Sequence, residues 1–231
     1  MAQRYYLESL PGEGRHQLPP DTAHHLTRVM RARPGDEVVL FDGQGQQCRA
    51  RLLSTSRREF EAELGPIEQV ELSPAVEIEL AFALPKGARA EWLFEHATEL
   101  GVTAMRPLRT ARSDTGAPGR RRERWLRVTQ AAAGQCGRSH LPAIHEVQAL
   151  AAMLASDTLP DERYLALPGG EPLGPACSDR ALLLVGPPGG WTDEEVASAR
   201  DAGFTPRGLS PLTLRTETAA LVGAALLAGA R

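Results

Sequence analysis

The sequence predicts an α/β protein, with a small β-barrel over residues 1–72 and, beyond it, a parallel sheet covered by helices on both sides. Three observations carry this. Up to residue 72 the apolar residues come in short alternating runs separated by Gly- and Asp-bearing turns. After residue 74 strand-like apolar runs alternate with helical ones. Two of the later runs, Tyr164–Leu167 and Ala181–Val185, are fully apolar, as strands buried on both faces are.

In the first part, Asp21-Thr22 is a capping signal for a helix over Ala23–Met30, with Leu26, Val29 and Met30 on one face. Arg33-Pro34-Gly35-Asp36 makes a turn, and Asp42-Gly43-Gln44-Gly45 joins two strands of a hairpin. Phe60, Ala62 and Leu64 alternate in a further strand. Leu72-Ser73-Pro74 reads as the join between a first domain over 1–72 and a second over 73–231.

In the second part, Ala75–Leu84 is a strand carrying Val76, Ile78, Leu80, Phe82 and Leu84 on one face. The spacing predicts a helix over 88–100, with Trp92, Leu93, His96, Ala97 and Leu100 inward and Gly101 as its stop. A strand over Val102–Leu108 and a helix over Arg120–Cys136 follow. Thr192 caps a helix opened by Asp193-Glu194-Glu195 and closed by Gly203. A final helix runs from about Thr216 to Ala228, with Thr216 or Thr218 as its cap.

Of 231 residues, 42% are hydrophobic and 24% charged, enough apolar material for a real core. No run approaches the roughly 20 apolar residues of a membrane span, and MAQRYYLESL lacks the apolar stretch of a secretory signal. Cys48, Cys136 and Cys177 are odd in number and far apart, which reads as free thiols, not a disulfide frame or zinc site. His24-His25 has no metal spacing, so no metal is expected. Net charge is −3, yet residues 106–138 hold nine arginines against Asp114 and Glu123. Phosphate binding answers to such a local patch, although a solvated helix face would look the same.

Four segments carry chemistry. Gly186-Pro187-Pro188-Gly189-Gly190-Trp191 leads from a buried strand into a helix, where α/β folds bind ligands; its glycines permit positive φ and close approach. The spacing fits neither a dinucleotide fingerprint nor a P-loop, and a plain tight turn is the bland alternative. Leu209–Thr218 puts Arg215 and Glu217 at the start of the last helix. Lys86 sits at a strand end, suited to a phosphate or carboxylate. Glu95 and Glu99 lie one turn apart as an acid/base pair or as solvated charges, and His96 reads as a core histidine. Trp125, among arginines, either stacks a base or anchors its helix, while Gln135 and Arg138 flank Gly134 and Gly137, a sign of close approach.

The ordered set of these motifs resembles the RsmE family of rRNA methyltransferases. It runs through Arg4-Tyr5-Tyr6, His24-His25-Leu26, Gly35-Asp36, Leu40-Phe41-Asp42-Gly43 and Leu84-Pro85-Lys86-Gly87. Thr98-Glu99-Leu100-Gly101-Val102, Arg124-Trp125, Gln135, Gly137-Arg138, Gly186-Pro187, Gly189-Gly190 and Leu214–Ala219 continue it. The resemblance implies a PUA-like barrel that helps hold RNA, and a SPOUT domain with a trefoil knot, an exception to unknotted chains. It implies S-adenosyl-L-methionine as cofactor, bent into the knot. Leu165, Ala166 and Leu167, then Gly186, Pro187, Gly189 and Gly190, then Leu209, Leu214 and Thr216 would hold it. It further implies a cytoplasmic homodimer that methylates N3 of a uridine in 16S rRNA, free or in the small ribosomal subunit.

On that reading Arg215 stabilises negative charge on the uridine or anchors a phosphate, and Glu217 orients Arg215 or accepts the proton. Arg4, Arg31, Lys86, Arg120, Arg121, Arg124, Gln135 and Arg138 are the expected RNA contacts. Three positions depart from the family pattern: Pro188 replaces a Glu, Ser210 a Gly and Leu212 an Arg. They motivate the rival expectation of a non-catalytic RNA-binding or ribosome-assembly protein with a degenerate donor site.

Overall fold

The computed structural model describes residues 3–19, 33–55, 60–71, 75–113 and 121–229. The helix expected over Ala23–Met30, the Leu72-Ser73-Pro74 join, and Arg31 and Arg120 lie outside the described residues. The chain divides into two compact units, Met1–Ser73 with Gln130–Leu141, and Pro74–Thr129 with Pro142–Arg231.

In the first unit, β1 (Gln3–Tyr6), β2 (Gly14–Gln17), β3 (Glu37–Phe41), β4 (Gln46–Thr55) and β5 (Phe60–Leu64) form one sheet in the order β1-β3-β4-β5-β2. A short β6 (Glu68–Gln69) pairs with β4. The β3–β4 hairpin closes where expected, because Asp42 Oδ1 accepts the amides of Gln44 and Gln46 at 2.7 and 3.0 Å. Alternation sends Val38, Leu40, Cys48, Ala50, Leu52, Ala62 and Leu64 into one core. The other face places Arg15, Glu63, Arg51 and Glu37 opposite one another across four strands, so opposite charges alternate along the row.

The second unit is built on β7 (Glu77–Ala83), β8 (Ala104–Arg109), β9 (Ala143–Ile144), β10 (Gln148–Ala149), β11 (Glu162–Ala166), β12 (Arg180–Val185) and β13 (Thr205–Arg207). The order is β10-β8-β7-β12-β11-β13, with β9 on β8, and every pairing is parallel. Helices α1 (Ala88–Glu99) and α5 (Thr216–Leu227) share a core with one face of this sheet. Helices α3 (Leu150–Leu154) and α4 (Asp193–Asp201) share a core with the other. Helix α2 (Arg121–Cys136) places Trp125 in the α1/α5 core and carries Gln130–Cys136 into the first unit. In the middle of the sheet, β12 is therefore apolar on both faces over Ala181–Val185, as its sequence predicts.

One expectation fails in detail. The inward face of α1 is Ala90, Leu93, Phe94, Ala97 and Thr98, whereas Trp92 and Leu100 are 42% and 41% exposed. The helix is rotated because Phe94 is sandwiched: it meets Phe82 edge-on and stacks on Trp125 at 4.6 Å between ring centroids. His96 is accordingly no core histidine. Its Nδ1 lies 2.7 Å from Glu99 at the surface, and its ring meets Trp92 edge-on. The same stack makes Trp125 the anchor of α2, with its ring buried. A buried ion network crosses the sheet: Glu79 takes Arg106 at 2.8 Å and Arg180 at 2.9 Å.

Candidate functional site

Strands β12, β11 and β13 are neighbours and parallel, so the loops at their carboxyl ends emerge side by side. The loops after β12 and β13 are two of the four segments the sequence marked for chemistry, and the loop after β11 is the one the family resemblance adds. The loops after β11 and β13 are joined main chain to main chain. Gly208 N–H donates to Glu171 O at 2.8 Å, and Leu173 N–H donates to Gly208 O at 2.9 Å. A Cβ on Gly208 would sit 2.5 Å from the Gly170 carbonyl oxygen, so only glycine allows this approach.

The loop after β12 turns at Gly190, at φ +71°, whose N–H donates to Pro187 O at 2.9 Å. Of the three glycines expected to take positive φ, Gly190 alone does so; Gly186 instead leaves room for the Trp191 ring, which a Cβ would meet at 2.8 Å. Trp191 Nε1 reaches back to Ala166 O at 3.3 Å, fastening this loop to the end of β11. The chain then enters α4 through the expected cap, with Thr192 and Glu195 bonded reciprocally.

At the start of α5 the outcome differs from expectation. The N-cap is Arg215 and no side chain caps the helix. The Thr216 hydroxyl is occupied elsewhere: it donates to Gly186 O at 2.8 Å and so ties α5 to the loop after β12. Thr216 and Glu217 are buried while Arg215 is exposed. Glu217 Oε1 lies 3.8 Å from Arg89 Nε, a partner the sequence did not disclose. Tyr164, on β11, has its hydroxyl pushed up to about 12 by burial and by donation to Glu162, so it stays protonated at neutral pH. Leu165 is wholly buried, Ala166 and Leu167 partly so, and Leu209 and Leu214 pack against the core under α5.

The basic residues are placed in several settings. In the first unit Arg4 donates to Gln47 at 2.9 Å and Ser139 at 2.6 Å and lies over the Phe41 ring, and burial lowers its pKa. Gly134 lets α2 approach the Arg4 carbonyl. Arg138 is half-buried with its pKa lowered by burial, and Gln135 is exposed. In the second unit Lys86 is exposed between β7 and α1, Arg121 opens α2, and Arg124 is 64% exposed while paired with Glu91 at 2.7 Å. Arg112, which the sequence offered only as one arginine of nine, donates to Gly189 O and Trp191 O at 3.0 Å each. Among the described residues no three His, Cys, Asp or Glu side chains are placed to hold a metal ion, and no helix is long and apolar enough to cross a membrane.

Residues 72–228 match the family model of the RNA methyltransferase domain, and residues 18–65 that of the RNA methyltransferase PUA domain. The chain is 33% identical to the ribosomal RNA small subunit methyltransferase E of Synechocystis, over 87% of this chain and 69% of that one. The chain belongs to the ribosomal RNA small subunit methyltransferase E family. The Bacillus subtilis member is 27% identical over 95% of this chain and 93% of its own. The crystal structure of the Neisseria gonorrhoeae member bound to S-adenosyl methionine superposes with a TM-score of 0.88 at 31% identity, covering 97% of this chain and 96% of that one. The fold is thus the SPOUT methyltransferase α/β fold behind a PUA-like barrel.

Within this methyltransferase E fold the three departures are conformationally mild. Pro188 is exposed, and Leu212 is 75% exposed. The Ser210 hydroxyl accepts the Leu212 amide at 3.1 Å, a local turn that glycine could not supply.

Proposed function

We propose that this chain transfers the methyl group of S-adenosylmethionine to N3 of a uridine in 16S rRNA, acting in the cytoplasm as a homodimer. The observation that carries the reading is the side-by-side emergence of the loops after β11, β12 and β13, the outer two laced main chain to main chain and the middle one tied to its neighbours through Trp191 and Thr216, with Arg215 at their rim. Such loops suit an adenosyl ligand, because close-packed main chain offers fixed amides and carbonyls and little charge. Leu165–Leu167, Gly186, Pro187, Gly189, Gly190, Leu209, Leu214 and Thr216 would hold it.

When bound, the donor supplies an electrophilic methyl on a sulfonium, so positioning is the protein's main task. Uridine N3 is weakly acidic. Arg215, exposed and fixed at the N-cap of α5, would stabilise the negative charge spreading to the flanking carbonyl oxygens. Glu217, buried in the first turn beside Arg89, would orient this end of the helix or take the N3 proton. The N3 edge is engaged in base pairs, so the base must be unpaired or extruded when it reaches the loops. Arg4, Arg31, Lys86, Arg120, Arg121, Arg124, Gln135 and Arg138 would contact RNA, the cations mainly at phosphates. Support for the dimer comes from α5, whose Val222 and Ala225 are only half-buried and lie outside the core that Leu221 and Leu226 join.

Calorimetric titration with S-adenosylmethionine, followed by turnover on small ribosomal subunits lacking the modification, tests the reading. Saturable binding and methylation that falls at least about a hundredfold in Arg215→Ala, the scale of losing a transition-state donor, are expected. Unchanged turnover in folded Arg215→Ala removes Arg215 from the mechanism. A folded protein that ignores the donor favours the rival role in ribosome assembly.

A further inference from the structure

We infer that Arg112 is a positioning residue of the donor site, fixing the loop after β12 through its main-chain carbonyls. The inference rests on the functional reading above and deepens it, because that reading assigns Arg112 nothing.

Arg112 follows β8, and its guanidinium reaches the loop after β12. The Nη1 atom has two N–H groups, and its two acceptors, Gly189 O and Trp191 O, lie at 3.0 Å each. These carbonyls bracket Gly190, the residue at positive φ on which the loop turns. A carbonyl that accepts from a guanidinium is pinned in direction, and the planar peptide pins the next amide with it. Arg112 therefore sets the orientation of the Gly190 N–H and of the Thr192 N–H that opens α4. The stem packs as well: a Cβ on Gly189 would meet Arg112 Cβ at 3.3 Å.

A second bond fastens the same strip of chain from the other side. Glu195, which completes the capping box of α4 with one carboxylate oxygen, uses the other to accept the Ala111 amide at 2.8 Å. Ala111 and Arg112 are thus stitched to the donor loop and to the helix behind it, across 77 to 84 residues of sequence. A surface arginine bound for RNA phosphate would hold its donors outward; here Nη1 is committed to the loop. Arg112 itself is exposed and packs in no hydrophobic core, so its removal is expected to leave the fold intact.

The test is Arg112→Met, which keeps the stem and removes the donors, with Arg112→Lys as the conservative partner. Donor affinity should fall about tenfold in R112M, which loses both bonds to the loop but no direct contact with the donor. The KM for S-adenosylmethionine should rise in step, kcat should change less, and RNA affinity should stay within about twofold of wild type, since no phosphate contact is lost. R112K should recover most of the affinity. Amide exchange at Gly190 and Thr192, measured without donor, should be faster in R112M than in the wild type. Unchanged exchange in a folded R112M overturns the inference, whether or not the wild type binds donor. So does a variant that loses RNA affinity while keeping donor affinity. If R112M does not fold, R112K decides: a loss as large as that expected for R112M sinks the idea. Failure of the wild type itself to bind donor overturns the functional reading instead, and the exchange measurement then judges Arg112 alone.

Discussion

The loops after β11, β12 and β13 and the arginine-bearing stretch from Arg106 to Arg138 illustrate two ways of building a surface. The loops are held at backbone atoms: Gly208 against the Gly170 carbonyl, the Leu173 amide on Gly208 O, the Gly208 amide on Glu171 O, and the Thr216 hydroxyl on Gly186 O. The arginines act through long side chains, and several are already engaged within the protein, Arg106 by Glu79, Arg124 by Glu91 and Arg122 by Glu146. Main-chain surfaces are sensitive to shape and tolerant of salt. Side-chain charge on the surface is the reverse.

That contrast can be broken or sharpened by mutation. The largest effect belongs to Arg106→Leu, which leaves Glu79 buried with only Arg180; breaking a buried pair costs roughly 3–5 kcal/mol, read as a lower urea midpoint. Gly208→Ala forces a methyl onto the Gly170 carbonyl and should cost about 1–3 kcal/mol while sharply weakening donor binding, with the denaturation midpoint and calorimetry as the two readouts. A normal donor affinity there would refute the main-chain account of the loops. Thr216→Val removes one buried hydroxyl bond and leaves the Gly186 carbonyl to find another donor, a loss of about 1 kcal/mol in chemical denaturation.

Arg124→Gln should leave donor affinity alone and reduce the salt slope of RNA binding by about one phosphate. A donor affinity that moved with it would erase the distinction between the two regions.

The smallest effect is with pH. His140 and His145 both have their pKa lowered from 6.5, first by burial and then by Arg138 and Arg106 respectively. The unfolded chain therefore binds protons at higher pH than the folded one. Stability is full above 6.5 and declines as pH falls through that value toward the depressed folded pKa values. Urea midpoints at pH 7.5 and 5.5 should differ in that direction, and His145→Gln should flatten the difference.

Much of this was legible in residue order. The apolar runs of β7 and β12, the Thr192 cap with its acidic turn, and the Asp42 hairpin each follow from local rules, and the structure holds them. What escaped was long-range. The rotation of α1 is set by Phe94 against Trp125, residues more than two dozen positions apart, and no periodicity records it. Thr216 looks like a cap, but its hydroxyl is claimed by a carbonyl thirty residues away. The grouping of Gln130–Leu141 with the N-terminal unit left no boundary signal within the continuous helical pattern of α2. At the candidate site the glycine-bearing loops announced themselves. Arg112 and Arg89 did not, because an arginine engaged by loop carbonyls or a buried carboxylate looks in sequence like any other.

The three loops should together deliver a methyl group to one position of one base. Small ribosomal subunits from cells lacking this protein, incubated with it and isotopically labelled S-adenosylmethionine and then mapped by nuclease digestion and mass spectrometry, test that directly. A single labelled uridine in 16S rRNA, methylated at ring N3, is the expected result. Label on a ribose hydroxyl or a ring carbon, or none from a folded protein that binds the donor, would contradict it.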